Sequence, residues 1–109
     1  MLARANRVVR PADFRMAVRR GRRIGTRNAL IHSYNRRDDG PVRFGFIVTK
    51  AVGGAVTRNL VRRRLKAVGY ELLPALGSGR DVVIRALPGS DQASWASLHA
   101  ELADGLGAR

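Results

Sequence analysis

Between residues 42 and 49 apolar and polar side chains alternate with a period of two. Between 61 and 76 the apolar ones recur every three or four positions. The first pattern predicts a strand, with Val42, Phe44, Phe46 and Val48 on one face and Arg43, Gly45, Ile47 and Thr49 on the other. The second predicts a long helix whose buried stripe is Val61, Leu65, Val68, Leu72 and Leu76. Gly53-Gly54 breaks the chain ahead of that helix, Gly69 weakens its interior, and Pro74 ends or kinks it.

Residues 11–20 predict a shorter helix. Pro11 suits its first position, Asp13 its first turn and Gly21 its exit. Phe14, Ala17 and Val18 make a thin apolar face that needs a sheet beneath it, while Arg15, Arg19 and Arg22 follow at helical spacing. Residues 28–35 alternate again, Ala29, Ile31 and Ser33 against Leu30, His32 and Tyr34. A polar turn, Arg36 to Pro41, separates this segment from 42–49, so a hairpin between the two strands is the natural pairing.

Asp81 introduces a last strand, Val82 to Leu87. Its only strong polar interruption is Arg85, which predicts a central strand covered on part of both faces. After a Pro88-Gly89 turn, Ser90 is expected to cap a final helix with the stripe Trp95, Leu98, Leu102 and Leu106, Trp95 included in the core. No repeat or long linker interrupts the chain, and the glycines fall mainly between elements. One domain over 1–109 is expected.

Charge changes the picture. Of 21 basic residues, 19 are arginine; through Lys66 the chain carries 18 basic and 3 acidic side chains, a formal +15, and the remainder is −2. A solvated surface does not need this much of one sign in one half, so the expected partner is a polyanion. Arginine suits phosphate because its planar fork binds two oxygens at once and stacks on flat rings. The chain has no cysteine, hence no disulfide framework and no thiolate zinc site. Its apolar runs are too short to span a bilayer, and no signal-type hydrophobic stretch follows the basic N-terminus; the expected location is the cytoplasm.

The informative segment runs from Thr49 to Lys66: strand end, glycine turn, basic helix. A helix start offers free N–H groups and a positive dipole end, which attract phosphate. Arg58 near that end is unfavourable in isolation, and anion binding accounts for it. Five basic residues in nine, Arg58 to Lys66, without an acidic partner among them, weigh against a merely solvated face. The 8 acidic residues form no paired-carboxylate motif of the kind a two-metal nuclease uses. His99 reads as a surface or edge residue, and His32 faces either a ligand or the core edge. Phe14 is a core residue of the first helix by periodicity.

The run Gly53-Gly54-Ala55-Val56-Thr57-Arg58-Asn59, continued by Arg62, Arg63 and Lys66, resembles the signature of the bacterial ribonuclease P protein family. Asn6-Arg7-Val8 followed by Asp13-Phe14 and Gly21 resembles that family's N-terminal segment. Arg43 to Lys50 resembles its arginine-glycine-valine-serine-lysine strand. The likeness runs from about Asn6 to about Lys66. Three positions depart from the pattern: Leu60 stands where a further arginine is usual, Ala51 where a second basic residue often follows Lys50, and Val18 where an aromatic is common.

The resemblance implies an α/β (α+β sandwich) domain. A mixed sheet of about four strands is packed by three helices, with a left-handed βαβ crossover around the basic helix. It implies the protein component of an RNA-based endonuclease that removes the 5′ leader of precursor tRNA, leaving a 5′-phosphate on the tRNA. The chemistry and the reactive Mg2+ would lie in the catalytic RNA, with one protein per RNA. Arg58, Asn59, Arg62, Arg63, Arg64 and Lys66 would bind the catalytic RNA, and Phe14, Arg15, His32, Tyr34 and Lys50 the leader. The rival readings are a basic RNA-binding or chaperone protein without catalysis, and a DNA-binding protein. The second lacks a helix-turn-helix pair or a dimerising stripe.

Overall fold

The structure, a computed structural model, describes residues 2–108. Helix α1 (Pro11–Arg20) begins at its proline, and the strands β1 (Arg22–Gly25), β2 (Ala29–Asn35) and β3 (Arg43–Ile47) follow. Then come α2 (Ala55–Leu72), β4 (Arg80–Ala86) and α3 (Trp95–Leu106). Short 3-10 turns lie at Arg4–Asn6, Leu73–Ala75 and Ser90–Gln92, the middle one built around Pro74 where α2 was expected to stop.

The four strands form one mixed sheet in the order β1-β2-β4-β3. β4 runs antiparallel to β2 and parallel to β3. The domain is therefore an α+β unit of three helices on a four-stranded mixed sheet, as expected. The expected hairpin between 28–35 and 42–49 does not form, because β4 lies between them. Val82, Val83 and Ile84 are each fully buried, so β4 carries apolar side chains on both faces and is stable only in the middle of the sheet. The 36–41 turn straddles the start of β4 instead. The Arg36 N–H donates to the Gly79 carbonyl at 2.8 Å, and the Gly79 N–H donates to the Gly40 carbonyl at 2.7 Å. Gly79 has φ +69°, and a Cβ there would collide with the Asp38 carbonyl, so this crossing requires glycine.

The α2 stripe is buried as its spacing predicts: Val61, Leu65, Val68, Leu72 and, beyond the helix, Leu76. It packs with Leu98, Leu102 and Leu106 of α3 against Ala29, Ile31, Phe44, Val82 and Ile84 of the sheet. Two details of the C-terminal helix differ from expectation. Ser94, not Ser90, is the cap: its Oγ accepts the Ser97 N–H at 3.1 Å, whereas Ser90 is buried in the preceding 3-10 turn. Trp95 is 40% exposed and leans on His99, ring centroids 4.9 Å apart. It is the first residue of α3 and points outward before the helix reaches the core, so its place in the periodic series was misleading.

β1 had no sequence signal of its own. Arg22-Arg23-Ile24-Gly25 is four residues long with two charges, which suits a short edge strand and shows no alternation. On the opposite face of the sheet from α2, helix α1 crosses the strands. Its start meets β3, where Asp13 pairs with Arg43 at 3.5 Å. Gly21, which follows its last turn, lies against the Ser33 backbone of β2.

Candidate nucleic-acid interface

The register of the sheet arranges the α1 face in rungs. Directly paired residues share a face, so Leu30, Arg85 and Ile47 make one rung and His32, Val83 and Gly45 the next. Tyr34, Asp81 and Arg43 make the third. Helix α1 lies over the second and third. Phe14 rests on Gly45 so closely that a Cβ there would be 2.5 Å from the ring. Ala17, one turn on, is fully buried. The N-terminal segment shields part of the free edge of β3, with the Val8 N–H donating to the Phe44 carbonyl at 2.8 Å.

This packing leaves a groove at the β3 edge where Arg7, Phe14 and Phe46 meet Arg62 and Lys66 of α2. A half-buried ring from one helix and two cations from another thus face one space. From it the basic face of α2 continues outward: Asn59, Arg62, Arg63 and Lys66 line a shallow hollow with Val56. The Arg62 Nη1 donates to Asn59 Oδ1 at 3.1 Å, which holds the guanidinium along the helix. No side chain caps the start of α2 and no acidic residue lies in its first turn, so the positive end of the helix is not neutralised locally. Arg58 adds to it, and its Nε is buried without a partner.

Arg64 departs from that face. Its Nη1 donates to the Asp91 carbonyl at 2.9 Å and the Ala93 carbonyl at 3.2 Å, tying α2 to the turn before α3. The helical step separates it from Arg62 and Lys66, a distinction that a run of consecutive arginines does not reveal.

The expected leader residues do not converge. Phe14 stands in the β3-edge groove. His32 is buried at the centre of the sheet with Arg23 opposite it on β1, and Arg85 lies one rung along. Burial and then the two guanidiniums push the His32 imidazole below its ordinary 6.5. Tyr34 lines a separate hollow with Arg20, Arg22 and Arg37 at the end of β2. Arg15 lines the outer flank of α1, and Lys50 is exposed in the turn between β3 and α2. Three arginines that the sequence reading did not assign to RNA lie here: Arg7 lines the β3-edge groove, and Arg23 and Arg85 flank His32 on the sheet. Arg85 gave a signal as the single charge inside an otherwise apolar strand, and Arg7 as part of the Asn6-Arg7-Val8 segment; Arg23 gave none.

Asp81 organises the site from below without facing it. Its carboxylate is 3% exposed; it accepts from Arg43 Nε and Nη2 at 2.7 and 2.6 Å and from Arg36 Nη1 at 2.6 Å. Arg36 also holds Asp38, which together with Asp81 keeps its guanidinium strongly protonated. One carboxylate thereby joins β4, β3 and the loop after β2, and through Arg43 reaches Asp13 of α1. Among the described residues no three of His, Cys, Asp or Glu gather as metal ligands. The side chains that do gather are cations and a flat ring, whose chemistry is the binding of phosphates and bases.

A family model described as "Ribonuclease P" matches residues 2–108. The ribonuclease P protein component of Clavibacter michiganensis is 53% identical over 106 residues, covering 97% of this chain and 94% of that one. The protein of the same name from Rhodococcus jostii is 45% identical over 112 residues, covering 97% and 90%. Among solved structures, the ribonuclease P protein of Staphylococcus aureus superposes with a TM-score of 0.81 at 21% identity, over 95% of this chain and 94% of that one. That of Thermotoga maritima gives 0.80 at 17%, over 92% and 94%.

Proposed function

This chain belongs to the ribonuclease P protein family, the non-catalytic protein side of a ribonucleoprotein that acts on precursor tRNA, and from that premise we propose how its surface divides the work. The basic face of α2, through Arg58, Asn59, Arg62, Arg63 and Lys66, docks the catalytic RNA. The groove at the β3 edge and the sheet strip beside it receive the single-stranded 5′ leader. The observation that carries this reading is the meeting of Phe14 with Arg62 and Lys66 in one groove. A stacking ring beside phosphate-binding cations is what a single strand requires, and the same two cations begin the surface that faces the catalytic RNA.

Within that division, Phe14 stacks on a leader base while Arg7, Arg62 and Lys66 hold the adjacent backbone. Arg23 and Arg85 extend the positive strip along the sheet, with His32 neutral between them. Lys50, at the head of the α2 turn, contacts backbone. Arg64 serves the protein's own packing. The Mg2+ ions of the reaction belong to the RNA, since the gathered residues of this chain are cationic. Neutralising phosphates where leader and catalytic RNA approach each other lowers the repulsion between the two polyanions, and less Mg2+ is then needed to bring them together. In this reading one protein docks on each catalytic RNA.

The test is a cleavage assay at low Mg2+ with precursor tRNA. Protein alone leaves the precursor intact, the catalytic RNA alone cuts slowly, and the two together cut fast, releasing a tRNA with a 5′-phosphate. Cleavage by protein freed of RNA would overturn the reading.

A further inference from the structure

A second cationic surface lies away from the groove and from the basic face of α2. On the outer flank of α1, Arg15, Arg19 and Arg20 surround Met16 in one shallow hollow. Arg20 is shared with a second hollow at the end of β2, where Arg22 and Arg37 join it. All five arginines are exposed, and no side-chain hydrogen bond or ion pair restrains any of them. Of the carboxylates near them in the chain, Asp13 pairs with Arg43 and Asp38 with Arg36, while Asp39, exposed beside Arg37, forms no ion pair with any of the five.

Five like charges without counter-ions repel one another, and the helix gains nothing from Arg15 and Arg19 four residues apart, since like charges at that spacing destabilise it. The fold does not need them, because the α1 contacts with the sheet are made by Phe14, Ala17 and Asp13. The α1 hollow contains no aromatic ring, whereas Tyr34 stands beside Arg22 and Arg37 in the next one, so it is Arg15, Arg19 and Arg20 that offer charge without a stacking platform. That combination suits the phosphate rows of a duplex better than the bases of a single strand.

We propose that the outer flank of α1 is a second docking surface for the catalytic RNA, contacting the backbone of a duplex segment distinct from the one on α2. This rests on the reading of the chain as a ribonuclease P protein. The duplex belongs to the catalytic RNA and not to the tRNA, because five free arginines on the tRNA body would hold the product as firmly as the substrate and oppose turnover. With one RNA segment on α2 and another on α1, the protein acts as a wedge that fixes their separation.

The experiment compares full-length wild type, an Arg15→Ala/Arg19→Ala/Arg20→Ala variant and an Arg62→Ala/Lys66→Ala variant. Each is titrated against catalytic RNA transcript over a range of monovalent salt, with hydroxyl-radical probing of the RNA. Alanine favours helix, so the α1 variant keeps its circular dichroism. The expected result is at least a tenfold loss of affinity and a log–log salt slope shallower by about 3, one for each phosphate contact removed. Protection of one duplex segment should disappear while the α2-dependent protection remains.

Wild-type affinity, slope and protection in the α1 variant would overturn the inference if the α2 variant is impaired, leaving the functional reading intact. No impairment in either variant would overturn both. A variant that assembles normally but loses affinity for mature tRNA would assign the surface to the substrate and also overturn the inference.

Discussion

Phe14 occupies the space that a side chain at Gly45 would need: a Cβ built there lies 2.5 Å from Cε1 and 2.7 Å from Cζ of the ring. The glycine of β3 therefore sets the height of the ring above the sheet, and Gly45 becomes a positioning element for α1. Gly45→Ala is expected to lift Phe14 and to destabilise the fold by about 1–3 kcal/mol through overpacking. The holoenzyme carrying it should lose affinity for precursor tRNA more than for mature tRNA. Chemical denaturation and paired titrations with the two RNAs measure both effects. Equal loss for the two RNAs would remove Phe14 from the leader path.

Phe14→Ala and Tyr34→Ala separate two places that the sequence had grouped together. Loss of one base stack costs roughly 1–3 kcal/mol, so Phe14→Ala should lower precursor affinity by about one order of magnitude or more. Tyr34 lies in another hollow, across α1, and its alanine variant should leave the preference for precursor over mature tRNA unchanged. A selective loss in folded Tyr34→Ala would return that residue to the leader path.

Asp81→Asn removes the charge that two buried-side guanidiniums share. Breaking a buried pair from one side costs about 3–5 kcal/mol, because the remaining charges stay desolvated. The expected outcome is a lower denaturant midpoint with an unchanged slope, measured by urea titration. A loss under 1 kcal/mol would show that Arg36 and Arg43 find water or other acceptors without strain.

His32 gives a pH dependence with a defined sign. Its folded-state pKa is depressed below 6.5 by burial and by Arg23 and Arg85. The unfolded chain therefore takes up the proton first, and stability should fall as pH drops below 6.5 toward the folded value. His32→Gln should flatten that part of the stability curve. In an NMR titration the His32 midpoint should lie below 6.5 in the free protein and rise when a leader oligonucleotide brings phosphate to Arg23 and Arg85. A midpoint that ignores the oligonucleotide would place the leader elsewhere.

Arg64→Ala and Arg62→Ala should exchange phenotypes. The first removes two charge-assisted hydrogen bonds to the turn before α3 and should cost roughly 1.5 kcal/mol of stability with little change in RNA affinity. The second should weaken catalytic-RNA binding and leave the denaturant midpoint in place. Thermal denaturation beside RNA titration distinguishes them.

Much of this was legible before any coordinates. The α2 stripe follows a 3.6-residue period that burial alone imposes, and Pro11 and Gly21 bound α1 by backbone chemistry. The basic half of the chain marked the α2 face. Pairing was not legible, because alternation in 28–35 and 42–49 says which side chains share a face and nothing about which strand lies beside which. The insertion of β4 is a non-local fact carried by Asp81, whose two arginine partners are 38 and 45 residues away. Arg64 and Arg62 look alike in sequence and part company only through the turn of the helix. β1 carried too few residues for a pattern, and Trp95 fell into a periodic series that its position at the helix start cancels.

The late arrival of β4 in the chain has a consequence for synthesis. When Lys66 leaves the ribosome nearly every RNA-binding arginine is already outside, yet β2 and β3 cannot join until residues 80–86 slide between them. A nascent chain in that state carries a formal +15 without a closed sheet, beside ribosomal RNA. Acquisition of form and the ability to choose one RNA over another are then a single event, completed only when the last third of the chain has emerged.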